Sequence, residues 1–140
     1  MRATEFITED ESKPTYSFEV KGDWKDRVWV TMFETAAKDE QWLHGTEPYE
    51  VGEVTLDPDP KTNTVYFNRI DITKGKGQGK GSILLAEVLR LLSEKGFKSV
   101  TSYVNHNNPE SRGMFKKFGF QFKESDEWDA QYGDYWAKTL

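Results

Sequence analysis

The chain has 140 residues, which is enough for one ordinary domain with a buried core. It contains no cysteine and only two histidines, so a disulfide framework, a cysteine nucleophile and a zinc cage are excluded. A net charge of -5 argues against binding along the phosphates of nucleic acids, and no apolar run is long enough to span a bilayer. We therefore expect a soluble, cytoplasmic protein without a metal ion, whose partners include neither nucleic acid nor membrane.

The first part of the chain predicts two antiparallel strands. Apolar and polar residues alternate over 16–20, and residues 27–33 are rich in β-branched and aromatic side chains. A turn at 22–23 separates them. Residues 34–44 are predicted as one short helix that Gly45 ends.

The middle of the chain predicts a hairpin followed by a crossover. Strands are expected at 49–56 and 65–72, with a polar loop over 57–63 between them. Apolar residues then recur at helical spacing up to a stop at Gly96. Because the next strand, 98–104, follows this helix, it is expected to lie parallel to the strand before it.

The last part of the chain predicts a second helix and a closing antiparallel pair of strands. Asn108, Pro109 and Glu110 supply a capping side chain, a first-turn proline and a first-turn acid, and Gly119 ends the helix. The two strands are expected at 120–123 and 132–139.

A glycine-rich loop at 74–82 is the most distinctive feature of the sequence. It carries glycine at every second position and lies between a predicted strand and a predicted helix. Without Cβ atoms its backbone can approach a ligand closely, and its N–H groups can converge with the helix N-terminus on a phosphate. The loop therefore predicts a pyrophosphate site; the alternative is a flexible glycine turn that only caps the helix.

The spacing of the loop separates the known phosphate motifs. A Walker A loop needs Ser or Thr directly after its Gly-Lys, but Gly81 follows Lys80, and the dinucleotide pattern also fails on spacing. The order of Lys76, Gly79 and Gly81 before an apolar helix resembles the acyl-CoA loop of the GNAT superfamily of N-acetyltransferases, with lysine at the usual arginine position.

The resemblance continues downstream of the loop and covers roughly residues 65–123. The family's second motif is matched in register by Asn108, Ser111, Met114, Phe115, Lys117, Gly119 and Phe120. Two motifs in the right order are more specific than either alone. The resemblance implies an α/β (α+β) fold in which a mixed, mostly antiparallel twisted sheet with a central parallel strand pair carries helices on its faces. It also implies that 1–140 form a single domain whose cosubstrate is acetyl-CoA.

The resemblance further implies which residues would hold the cosubstrate. In the family the strand before the loop splays from its parallel neighbour, and the pantetheine arm lies in the gap. The residues implied along the arm are Ile70, Asp71, Ile72, Asn108, Ser111 and Phe115. The residues implied at the pyrophosphate are Lys76, Gly77, Gln78, Gly79, Lys80, Gly81 and Ser82.

The catalytic groups are harder to assign. The family often uses a tyrosine as the acid for the departing thiolate, but this chain has Phe115 there, which cannot donate a proton. Tyr103 is the substitute candidate, and a buried core tyrosine is its alternative reading. The candidate bases are Asp71, Glu53 and His106, each of which also has an ordinary explanation as a strand or loop residue.

Two functions are consistent with these residues. The first is an enzyme that transfers an acetyl group from acetyl-CoA to a primary amine of a small molecule or protein. The second is a CoA-binding or structural module without turnover, which the phenylalanine at position 115 favours. Residues 16–33 leave little room for the two helices that usually shape the acceptor pocket, so neither the acceptor nor the oligomeric state is predicted.

Overall fold

The computed structural model describes residues 12–74, 79–104, 109–123 and 134–140. Within these ranges it contains one seven-stranded sheet, with the strand order β1-β2-β3-β4-β5-β7-β6. The strands are β1 (Thr15–Gly22), β2 (Val28–Thr35), β3 (Tyr49–Asp59), β4 (Thr64–Ile72), β5 (Ser99–Val104), β6 (Gln121–Lys123) and β7 (Asp134–Thr139). The helices are a 3-10 turn (Lys38–Glu40), α1 (Gln41–His44), α2 (Lys80–Glu94) and α3 (Pro109–Lys117).

The core lies against one face of this sheet. Burial alternates along β3 and β4, so that Val54, Leu56, Val65 and Phe67 are buried while their neighbours are half-buried or exposed. This period of two is what a half-buried strand requires. The buried face of α2 packs against it, with Leu84, Leu85, Val88, Leu89 and Leu92 in the common core.

Strand β4 has two different edges. On one side it pairs antiparallel with β3 from Gly52↔Ile72 to Asp59↔Thr64, with one bulge next to Thr55. On the other side it pairs in parallel with β5 over only Thr64–Tyr66. The predicted parallel pair is therefore confirmed, and it is short.

The structure corrects the element predicted over residues 34–44. Strand β2 continues to Thr35, because Glu34 still pairs with Tyr16 on β1 and Tyr49 on β3. Only a 3-10 turn and the single turn of α1 follow, before Gly45 ends them at a φ of 84°. The helix was predicted from the local spacing of a few residues. That spacing carries no information on the pairing with β1 and β3 that extends β2.

The hairpin loop is also shorter than predicted. Strand β3 runs through the first three residues of the expected polar loop to Asp59, and Asn63 closes the turn at a left-handed φ of 57°. The long helix, its stop at Gly96, the second helix and the closing antiparallel pair β6–β7 are confirmed. Among the residues that the structure describes, no helix is both long and apolar enough to cross a membrane.

Candidate functional site

A gap between β4 and β5 forms the centre of the candidate site. The parallel ladder ends at Tyr66↔Thr101, although β4 continues to Ile72 and β5 to Val104. At the point of separation the Ser102 hydroxyl donates a hydrogen bond of 3.0 Å to the Phe67 carbonyl oxygen. This side-chain bond takes the place of the next backbone bond, so the strands diverge from a defined position.

The end of β4 leads directly to the start of α2. The Thr73 N–H donates to the Val51 carbonyl oxygen at 2.8 Å, which holds the chain against β3. Gly79 is the N-cap of α2 and has a left-handed φ of 79°. A Cβ on Gly81 would lie 3.3 Å from Met114 Sδ on α3, so this glycine permits a close approach of the two helices.

The first residue of α2 takes part in a buried ion pair. Lys80 Nζ lies 2.8 Å from Glu34 Oε1, and the two side chains are only 9% and 10% exposed. This contact lacks the alignment of a hydrogen bond, whereas the Tyr49 hydroxyl donates one to the other carboxylate oxygen. Glu34 thus has the Lys80 cation and the Tyr49 hydroxyl group as close partners.

These contacts change the proton affinities of the cluster. Burial raises the pKa of Glu34, but the contacts from Lys80, Tyr49 and Tyr16 outweigh it, so that the pKa is lowered overall. The hydrogen bond to Glu34 raises the pKa of Tyr49 to about 12. Burial, reinforced by the charge of Glu34, raises the pKa of Tyr16. The cluster therefore holds an ionised carboxylate between two protonated tyrosines at neutral pH.

The two described lysines of the glycine loop each contact a residue outside the loop. The Lys80 ammonium points to Glu34, and Lys74 Nζ lies 5.1 Å from the centroid of the Tyr49 ring. Lys76 lies outside the described residues. What α2 offers to an anion at this point is its N-terminal dipole and the free N–H groups of its first turn.

The helix α3 covers the place where β4 and β5 diverge. Phe115 is 2% exposed and packs edge-on against Phe67, with 5.6 Å between the ring centroids, and against Phe120 at 4.7 Å. Its ring is therefore a member of the core.

A second buried group lies one strand away from the gap. Trp136 on β7 is the direct partner of Ser102 on β5, and it is 8% exposed. Its indole Nε1 is buried and has no hydrogen-bond partner among the residues that the structure describes. An unpaired buried donor of this kind is costly.

The implied ligand residues fall into three groups. Ile70, Asp71 and Ile72 lie on the part of β4 that pairs with β3 but no longer with β5. Gly79–Ser82 form the start of α2. The backbone of Ser111 belongs to α3, and the backbone of Tyr103 belongs to β5. Outside the described residues lie Gly77, Gln78, Lys76, Asn108 and the candidate base His106.

The two other candidate bases are neighbours. Glu53 and Asp71 are cross-strand partners on β3 and β4. Glu53 accepts a hydrogen bond from the Thr31 hydroxyl at 3.2 Å, and Asp71 Oδ2 lies 2.7 Å from Arg69 Nη2. Both carboxylates therefore lie beside the end of β4, and each already has a polar partner.

Sequence reasoning missed Glu34, Tyr49 and Ser102. Glu34 was placed in a helix, and its pairing with Tyr49 depends on a register shift between Met32 and Phe33 that no sequence pattern shows. Ser102 was only one polar position of an alternating strand. The sequence offers one indication of the contact between Glu34 and Tyr49. Both are polar groups among apolar strand residues, where a buried polar group needs a partner.

Comparisons with known proteins agree with this arrangement. Residues 72–129, which begin at the last residue of β4, match a family model described as FR47-like protein. No curated protein matches the sequence.

Several solved structures are similar in fold. PaiA N-acetyltransferase from Thermoplasma acidophilum, in complex with coenzyme A, superposes with a TM-score of 0.62 at 18% identity, over 82% of this chain and 62% of that one. The GNAT domain of S. lividans PAT gives 0.64 at 19% identity, over 86% and 64%. A domain from Methanocaldococcus jannaschii gives 0.71 at 14% identity, over 91% and 100%.

The chain has the fold of the GNAT acetyltransferases, and the resemblance predicted from its sequence is confirmed. It spans less than two thirds of the length of the Thermoplasma protein and of the S. lividans domain.

Proposed function

We propose that this chain binds acetyl-CoA between β4 and β5 and transfers the acetyl group to a primary amine of a small molecule or protein. The observation that carries the proposal is the early end of the β4–β5 ladder in front of the N-terminus of α2. An unpaired strand edge offers N–H and C=O groups to the amides of a pantetheine arm. A helix N-terminus at the end of that edge suits a pyrophosphate.

In this proposal the backbone does most of the binding. The edge of Ile70, Asp71 and Ile72 contacts the arm, and one of its N–H groups polarises the thioester carbonyl. The loop from Lys76 to Ser82 holds the pyrophosphate, with Lys80 contributing its N–H group and not its ammonium. Asn108, Ser111 and Phe115 lie along the arm.

Transfer requires that the amine loses a proton and that the thiolate gains one. Glu53, Asp71 or His106 accepts the proton of the attacking amine, directly or through water. The new C–N bond forms as the C–S bond breaks, and Tyr103 protonates the departing sulfur. Acetyl-CoA supplies the acyl group, and free CoA and the acetylated amine are the products.

The second candidate function is a CoA-binding module without turnover. It is favoured by Phe115, whose buried ring occupies the position where the family often carries a tyrosine acid. Both functions predict binding, and they differ in whether thiol is released.

Native mass spectrometry of the protein mixed with acetyl-CoA, followed by measurement of free thiol with a panel of primary amines, separates these functions. Binding with amine-dependent thiol release supports the enzyme. Binding without release for any amine supports the module, and the absence of binding contradicts both.

A further inference from the structure

The buried pair of Glu34 and Lys80 connects two distant parts of the fold. Glu34 is near the end of β2, and Lys80 is the first residue of α2. Their charged atoms lie 2.8 Å apart, and both side chains are about nine-tenths buried. Strand β2 is separated from β4 by β3, so this pair attaches the start of α2 to a strand that does not itself border the gap.

The position of this pair is unusual for a stabilising contact. Burying two charges costs desolvation energy, and apolar residues of similar size often stabilise a fold as well or better. A lysine in a loop for anions also has an obvious alternative, which is to extend towards the phosphates. Lys80 is instead held in the interior, where Tyr49 and Tyr16 complete the surroundings of its partner.

The consequence of this attachment falls on the first turn of α2. The Ile83 N–H donates to the Gly79 carbonyl oxygen and is the first of the helical bonds. The N–H groups of Lys80, Gly81 and Ser82 precede it and therefore have no partner within the helix. Their direction depends on how the first residue of the helix is fixed, because Gly79 before it and Gly81 after it restrain the backbone little.

We propose that Glu34 is a positioning residue for the cosubstrate site, which by holding Lys80 fixes the N–H groups of the first turn of α2 towards the pyrophosphate. The inference rests on the proposed function. It assigns the Lys80 side chain to Glu34 and leaves phosphate binding at this residue to the backbone.

The test is the affinity for CoA of Glu34→Gln, measured by calorimetry beside the wild type. The control is Glu87→Gln, which removes a half-buried carboxylate paired with Arg90 at 2.7 Å on the same helix. We expect Glu34→Gln to weaken binding about tenfold, because it acts on the ligand only through the first turn, and Glu87→Gln to leave it unchanged. If Lys80 were a phosphate contact restrained by Glu34, its release would strengthen binding and steepen the salt dependence, which would overturn the inference.

A second pair of variants separates positioning from direct contact. Lys80→Met replaces the ammonium by an unbranched apolar side chain and should weaken binding because it leaves Glu34 without its cation. The double variant Glu34→Gln/Lys80→Met should bind about as weakly as either single variant, since each change already removes the same attachment of α2. A loss of affinity in Lys80→Met far larger than in Glu34→Gln would show that the ammonium itself binds the ligand, which would overturn the inference. A lower melting temperature of Glu34→Gln with wild-type affinity would reduce the pair to a purely structural contact.

Failure of the proposed function would look different. A wild type that does not bind CoA would contradict the function, and the positioning would then be read from hydrogen exchange without ligand. The N–H group of Ile83, which donates to the Gly79 carbonyl oxygen, should exchange faster in Glu34→Gln than in Glu87→Gln. Equal exchange rates would overturn the inference whatever the ligand.

Discussion

The two edges of β4 show how one strand can serve both the fold and a ligand. Its edge towards β3 is paired along the whole strand, from Thr64 to Ile72. Its edge towards β5 is paired only as far as Tyr66, and a side-chain bond from Ser102 ends the contact. The paired edge therefore stabilises the sheet, while the unpaired edge leaves backbone groups for an extended ligand.

The largest expected effect is at Gly52 on the paired edge. A Cβ there would lie 2.9 Å from Ile72 Cδ1 and 3.0 Å from the Asp71 carbonyl oxygen, so a side chain must push the strands apart. We expect Gly52→Val to lower the free energy of unfolding by about 3 kcal/mol. Urea unfolding measures this change in the free energy of unfolding. An unchanged unfolding midpoint would contradict the close packing of Gly52 against β4.

Glu34 gives the next largest effect, and the effect depends on pH. Its pKa is lowered in the folded protein, so its ionised form contributes stability above the unfolded pKa of about 4.5. That contribution is lost as the pH falls through the folded pKa. We expect Glu34→Gln to cost about 2 kcal/mol at pH 7, where it leaves Lys80 without its anion.

Thermal unfolding of Glu34→Gln and the wild type at several pH values tests this expectation. The difference in stability should shrink as the pH falls below about 4.5. A difference that stays constant from pH 7 to strongly acidic conditions would show that Glu34 is not held ionised by its partners.

Phe115 bears most directly on whether the protein turns over acetyl-CoA. Because its ring is buried, replacing it by tyrosine should lower the stability of the free protein. In the free protein Phe115→Tyr would place a hydroxyl against Phe67 and Phe120 without a partner, which should cost about 1–3 kcal/mol. Bound acetyl-CoA would reduce that cost if the hydroxyl reached the sulfur. Melting curves with and without acetyl-CoA distinguish these cases, and a variant as stable as the wild type without ligand would contradict the packing.

The smallest expected effect is at Ser102 on β5, which contacts β4 just after the pairing of these two strands ends. Ser102→Ala removes the bond to the Phe67 carbonyl oxygen and should cost about 1 kcal/mol. Hydrogen exchange of the neighbouring β4 and β5 amides would show whether the separation then moves towards Val65 and Val100. Unchanged stability and exchange would mean that the diverging strands do not depend on this bond.

The sequence predicted the parts of this arrangement that depend on local patterns. Alternation identified the strands, helical spacing and Gly96 identified α2, and the spacing of the glycines led to the resemblance. Prediction from the sequence failed where the structure depends on contacts between residues that are far apart in the chain. The end of β2 depends on pairing with Tyr49, and the direction of the Lys80 side chain depends on Glu34. Such contacts arise from register and from a bulge, which leave no periodic signal.

The central claim is that the backbone at the start of α2 binds the cosubstrate, and two glycines at opposite ends of this helix test it. Gly79 and Gly96 both have a left-handed φ, of 79° and 88°, and at neither would a Cβ meet a heavy atom of the described residues within 4 Å. Valine therefore brings the same kind of backbone strain to both, of about 1–2 kcal/mol, without a clash inside the protein.

Calorimetry of CoA binding to the wild type, Gly79→Val and Gly96→Val is the most direct measurement. Gly96→Val should bind like the wild type, whereas Gly79→Val should keep its far-ultraviolet circular dichroism and give no measurable binding, because its side chain fills the space needed by the pyrophosphate. Equal affinities of the two variants would contradict the claim.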